Sequence, residues 1–114
     1  MRYILKFRST EVGVIESTDE DFPNLWGEFK IDKNVEEKPL LAFIELSKRE
    51  SKLIDEDHIR DISSDIAELE KEMEPYLYFV ESDDWTLETE CNEVLKILGP
   101  SFKPDGSIMW RWRS

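Results

Sequence analysis

His58 and Asp61 stand three residues apart in a stretch that also holds Asp55, Glu56 and Asp57. On a helix that spacing puts an imidazole and a carboxylate on one face, an arrangement that can hold a divalent ion. The chain contains a single His, which excludes a histidine-rich metal centre, and acids in a first helical turn are favoured by the helix dipole without any metal. Two further groups, Asp19 with Glu20 and Asp21, and Asp83 with Asp84, supply close carboxylates of the kind used for acid–base work or Mg2+ binding. With 27 acids among 114 residues, such neighbours arise by chance, and in turns these side chains cap backbone N–H groups. Nucleophilic catalysis requires a Ser or Cys beside a base. Cys91 has no sequence link to His58, and its spacing to Leu87, Val94, Leu95 and Leu98 reads as an apolar helical face on which a lone Cys acts as a small hydrophobe. The four glycines, Gly13, Gly27, Gly99 and Gly106, are scattered at turn-like positions and form no phosphate-binding loop. No catalytic residue, cofactor or metal ligand is assigned on these grounds.

The charge balance points elsewhere. Fifteen bases against 27 acids give a formal net charge of −12, which repels nucleic-acid phosphates and anionic lipid and favours a protein partner, a basic one most easily. Six bases (Arg2, Lys6, Arg8, Lys103, Arg111 and Arg113) and one acid occupy the two ends, residues 1–8 and 100–114, so the acidity is concentrated between them. No apolar run reaches the length of a membrane span, and charges at Arg2, Lys6 and Arg8 interrupt any signal-peptide core, so a cytoplasmic protein without membrane contact is expected. One Cys excludes an internal disulfide. The length suits one domain, residues 1–114, and 39% hydrophobic with 11% aromatic residues is too much apolar surface for a disordered chain.

The elements that would position these groups follow from periodicity. Tyr3, Leu5 and Phe7 alternate with Arg2, Lys6 and Arg8, which predicts a half-buried strand. Val12 to Thr18 reads as its hairpin partner, and Trp26 to Asp32 as a shorter third strand with Phe29 and Ile31 inward. Pro39 suits the first turn of a helix running to about Leu53. Ile59, Ile62, Ile66, Leu69 and Met73 recur at intervals of three and four, which predicts a second helix from Asp55, acting as cap, to Glu74, stopped by Pro75. Its core positions Ile62 and Ile66 would each contribute about 2 to 5 kcal/mol relative to Ala. That helix would carry nine acids against Arg60 and Lys71. Tyr76 to Glu81 reads as a strand from its aromatic and β-branched content. Trp85 to Leu98 reads as a helix stopped by Gly99 and Pro100, with a pair of short strands as the alternative. Lys103 to Gly106 is a hairpin turn leading into a strand from Ser107 to Arg113, with Ile108, Trp110 and Trp112 on one face.

The sum is an α+β domain: an antiparallel-rich sheet of about five or six strands with two or three amphipathic helices on one face. If the first and last strands are neighbours, Arg2, Lys6, Arg8, Arg111 and Arg113 form a basic stripe. Four Trp exceed what a small core requires, so one left exposed would mark a binding surface. Phe22 and Trp26, with Asp19 and Asp21 beside them and Arg111 and Arg113 at the far end of the chain, make up the candidate interaction surface.

The segment Asp21-Phe22-Pro23-Asn24-Leu25-Trp26-Gly27-Glu28-Phe29, after the strand Val12-Gly13-Val14-Ile15, resembles a family of small bacterial proteins that share an Asp-Phe-Pro turn followed by Gly-x-Phe. That resemblance implies a bacterial source and no particular chemistry. The small size, acidity and Trp-rich end are also similar to immunity proteins of bacterial toxin systems. The expected function is a non-catalytic acidic protein-binding module without cofactor. The alternatives are an immunity or inhibitor protein of a toxin pair, and a small metal-dependent enzyme using Asp19, Asp21, Asp83, Asp84 or His58.

Overall fold

A computed structural model describes residues 2–19, 25–57 and 59–112. The first three strands, β1 (Arg2–Phe7), β2 (Thr10–Asp19) and β3 (Leu25–Ile31), form an antiparallel meander. Two long helices follow, α1 (Lys38–Glu56) and α2 (Ser63–Met73), then a 3-10 turn at Glu74–Tyr76 and a short helix α3 (Leu77–Glu81). The chain returns to the sheet through β4 (Trp85–Thr89), β5 (Val94–Lys96), β6 (Ser101–Phe102) and β7 (Ser107–Trp110). The seven strands lie in the order β5, β4, β1, β2, β3, β7, β6, and every pairing is antiparallel. The α+β class is as expected; the sheet has more strands than expected.

Two devices curl this sheet. The β1–β2 register shifts between Leu5 and Lys6, so Val12 is the extra residue of a bulge, and both it and Gly13 turn inward. Gly13 and Gly27 lie within β2 and β3, inside the two strands expected there, and both are places of close approach. A Cβ on Gly13 would meet the Phe29 ring at 2.6 Å, and one on Gly27 would meet the Glu16 carbonyl oxygen at the same distance. Missing side chains on the concave face let adjacent strands bend together.

Tyr3, Leu5 and Phe7 are buried, as their alternation predicts, together with Ile15, Leu25, Leu87, Ile97, Ile108 and Trp110. Ile31 shares their side of the sheet but reaches past the core and is 43% exposed. Against the concave face α1 presents Leu40, Phe43 and Ile44, all buried. The Phe43 ring stacks on Phe79 at 5.1 Å between centroids and meets Phe102 edge-on. Burying each such side chain contributes about 1.5 to 3 kcal/mol. The Phe102 N–H donates to the buried Ser47 hydroxyl oxygen at 3.0 Å, which fixes α1 to β6.

Three stretches differ from the sequence reading. Residues 77–81 are helical because Pro75 starts a turn that the chain continues. Their aromatic and β-branched content marks half-buried surface rather than a strand, with Phe79 inward and Leu77, Tyr78 and Val80 outward. Residues 85–98 form the pair of short strands, not the helix. Trp85 and Leu87 alternate inward, as do Leu95 and Ile97, and Asn92 adopts φ +65° in a turn whose Thr89 hydroxyl oxygen accepts from the N–H groups of Cys91 and Glu93. Cys91 is exposed there, not packed on an apolar face. The helix expected from Asp55 begins at Ser63, since Asp55 and Glu56 complete α1. Asp61 takes the capping part by accepting from the Ser63 N–H at 2.9 Å and its hydroxyl at 2.7 Å.

Candidate functional site

The sheet end where β2, β3 and β7 meet carries part of the surface singled out from the sequence. Asp19 stands opposite Trp26 in the β2–β3 register, and Trp26 stands opposite Met109 in the β3–β7 register. Arg111 follows two residues after Met109 and is exposed, with its backbone carbonyl accepting from the Leu98 N–H at 3.0 Å. Asp19, Trp26 and Arg111 are therefore brought to one end of the fold. Trp26 is half-buried, and the Lys103 ammonium lies 5.6 Å from its ring centroid, a cation–π contact that covers part of the indole. Asp21, Phe22 and Arg113, like His58, lie outside the described residues.

The basic stripe does not form. Strands β2 and β3 separate β1 from β7, and acids in β4 and just before it pair with bases in β1 and just after it. Lys6 pairs with Glu88 at 2.6 Å, and Arg8 with Asp84 at 3.0 Å. The Glu88 carboxylate raises the Lys6 pKa, and the Arg8 guanidinium lowers that of Asp84. The backbone positions of Asp19 and Asp84, two residues expected to supply metal-binding carboxylates, are also far apart. Asp84 sits beside Arg8 at one end of β1, whereas Asp19 extends past the opposite end, where Arg2 pairs with Glu16. Six residues of strand separate these ends, roughly 20 Å. Among the described residues no three His, Cys, Asp or Glu side chains gather in a metal-binding group.

The concave surface of most substance lies on the helical side. A cleft of about 460 Å³ opens between α1, the α2–α3 junction and residues 99–101, lined in part by Phe43, Ser47, Met73, Leu77, Val80 and Pro100. Gly99 forms part of its wall, where a Cβ would stand 2.9 Å from the Val80 carbonyl oxygen. Further along α1 a second cleft of about 310 Å³ is lined by Glu50, Ile54, Asp57, Ile62, Ile66 and Glu70. The two share Glu50 and Glu70 and so lie side by side along α1, and together they are called the groove below. Leu77, Val80 and Ile54 are exposed along it, at 43, 46 and 57%. Every charged residue lining it among the described residues is acidic: Glu50, Asp57 and Glu70.

Several other charges of the helical layer pair with each other. Arg60 bridges Glu56 and Asp65 at 2.8 and 2.6 Å across the turn between the helices, and Arg49 reaches Glu72 at 2.8 Å from α1 to α2. None of these residues lines the groove. The sequence signal for this groove lies in Ile62 and Ile66, while Ile54 falls between the two expected helices. It is hidden because Leu77 and Val80 read as strand residues and because the periodicity sets the start of the second helix at Asp55.

No helix among the described residues is long and apolar enough to cross a membrane. No family model, curated protein or solved structure matches the chain.

Proposed function

We propose that this chain is a non-catalytic, acidic protein-binding module whose partner seats in the groove along α1, α2 and α3. One observation carries the reading: a groove with an apolar floor, exposed Leu77 and Val80 on its wall, and, among the described residues, only carboxylates as charged lining groups. Exposed aliphatic side chains clustered beside a concavity, rather than scattered singly, are what a protein interface presents before its partner arrives. Asp19, Trp26 and Arg111, at the far end of β3 and β7, form a secondary contact in this reading. The same acidic lining would serve an inhibitor of a basic toxin; a toxin-like reading frame directly upstream of the gene distinguishes that case.

The test compares wild type with Leu77→Asp and Val80→Asp, whose side chains are exposed in the free protein and so tolerate charge without loss of folding. Immobilised wild type should retain a partner from extract of the source cells. Each variant should retain at least about tenfold less, since a buried unpaired carboxylate at an interface costs several kcal/mol. Unchanged retention by both variants, with circular dichroism melts like wild type, would reject the groove as the binding surface.

A further inference from the structure

The groove has a shape and charge that select among occupants. On α1 its wall is the stripe Phe43, Ser47, Glu50, Ile54 and Asp57, spaced by four, three, four and three. Facing it, Ile62, Ile66 and Glu70 of the α2 segment are spaced by four, and Leu77 and Val80 continue the line into α3. Two such stripes on adjacent helices make the trough into which a third helix packs its own row of apolar side chains. From Phe43 to Asp57 the trough spans 14 helical steps, about 20 Å at 1.5 Å per residue. A helix of about four turns would fill it.

Charge decides what that helix is. Glu50 of α1 and Glu70 of α2 line both clefts, and Asp57 lines the second of them. A second copy of this chain would set the same carboxylates against each other across a two-fold interface, a like-charge juxtaposition. A partner helix with Lys or Arg flanking its apolar stripe would instead place cations between the two walls. Resting on the binding-module reading above, we infer that the groove receives a cationic amphipathic helix of a partner protein, with aliphatic residues at i, i+3 or i+4 and i+7, and basic residues beside them.

The probe is a synthetic 15-residue peptide of Leu and Lys with leucines at that spacing, titrated against the full chain by calorimetry. Three comparisons accompany it: a peptide of the same composition with the leucines dispersed, a Leu and Glu peptide of the same pattern, and the double variant Glu50→Lys with Glu70→Lys. The patterned cationic peptide should bind at least about tenfold more tightly than the dispersed one, and the double variant should weaken it by a similar factor or more. Binding should also fall as salt rises. Equal binding of the patterned and dispersed peptides would reduce the interaction to bulk charge and overturn the inference, as would indifference to the double variant or tighter binding of the Leu and Glu peptide. Sedimentation that shows a dimer of wild type and a monomer of Val80→Asp would also overturn it, by assigning the groove to a second copy. If no peptide binds while Leu77→Asp and Val80→Asp still release a captured partner, the cationic helix is wrong and the binding module survives; if those variants release nothing, both readings fail.

Discussion

Ile97 stands opposite Trp112 in an antiparallel bridge, while its own N–H donates to the Trp85 carbonyl oxygen at 3.2 Å. Ile97 is fully buried, and one residue therefore touches both margins of the seven-stranded sheet. The edge strands β5 and β6 are consecutive parts of a single extended segment, residues 94–102, whose first part pairs with β4 and whose last part pairs with β7. The sheet thus closes on itself through a bent strand, which protects edges that would otherwise pair with another chain. Tyr3 illustrates the result. Its ring lies 6.1 Å from Trp110 and 6.2 Å from Trp112, although two strands separate β1 from β7 along the sheet.

Closure requires tight coiling, and Gly27 is where that can be measured. Gly27→Ala would place a methyl group 2.6 Å from the Glu16 carbonyl oxygen and 2.8 Å from Ile15 Cγ2, and should destabilise the fold by about 1 to 3 kcal/mol. Gly106→Ala is the contrasting case. Nothing lies within 4 Å of its Cβ, but φ is +89°, so its cost, about 1 to 2 kcal/mol, is backbone strain alone. Urea denaturation gives both values. Replacing Gly106 with Asn should recover part of the loss, whereas Gly27→Asn should be worse than Gly27→Ala. An unchanged midpoint for Gly27→Ala would contradict the close approach of β2 and β3.

How much of this was readable in the chain differs by element. The alternation of Tyr3, Leu5 and Phe7 identifies β1, and Lys103-Pro104-Asp105-Gly106 identifies the last hairpin, because both signals are local: side-chain alternation, and a turn that needs positive φ at Gly106. Residues 77–81 mislead because Phe79 is buried against Phe7, Phe43 and Trp85, contacts that reward aromatic content without fixing the backbone type. Closure through Ile97 is invisible in sequence: its bridge to Trp112 continues the last hairpin, but its bond to the Trp85 carbonyl joins that hairpin to β4, which only the curl of the sheet brings near. The groove is half legible. Ile62 and Ile66 appear in the helical pattern and Ile54 does not, and that all three border a cleft follows from where α1 ends, which nothing local marks at Glu56. Residue type alone links Asp19, Trp26 and Arg111 in the sequence, and it is the strand register that sets them at one end of the sheet.

The last hairpin should also set part of the acid sensitivity. The Ser107 hydroxyl and backbone N–H donate to the Asp105 carboxylate at 2.6 and 2.9 Å, the hydroxyl having the larger effect, and hold its pKa below 3.8. A carboxyl depressed in the folded state stabilises the fold above its unfolded value and loses that contribution as pH falls through the folded one. The difference in urea midpoint between wild type and Asp105→Asn should be constant above about pH 5 and shrink below 3.8 toward zero. Asn keeps an acceptor for Ser107, so the difference reports the charge. A gap that persists unchanged at pH 2 would show that the carboxylate is not what Ser107 holds.

The helical pattern of residues 59–73 is best tested as a graded series, because the structure ranks positions that sequence spacing treats as equivalent. Leu69 is 1% exposed, Ile62 8% and Ile59 70%, with Ile66 half-buried on the groove. Truncation removes transfer energy and leaves a cavity in proportion to the atoms that surrounded the side chain. Leu69→Ala should therefore cost about 3 to 5 kcal/mol and Ile62→Ala about 2 to 3, whereas Ile66→Ala should cost about 1, below the 2 to 5 that the spacing implies. Ile59→Ala, in the turn after α1, should change stability by less than about 0.5 kcal/mol. Equal losses at all four positions would restore a single helix from Asp55 to Glu74. The graded order requires the break between α1 and α2, and with it the groove that those helices form.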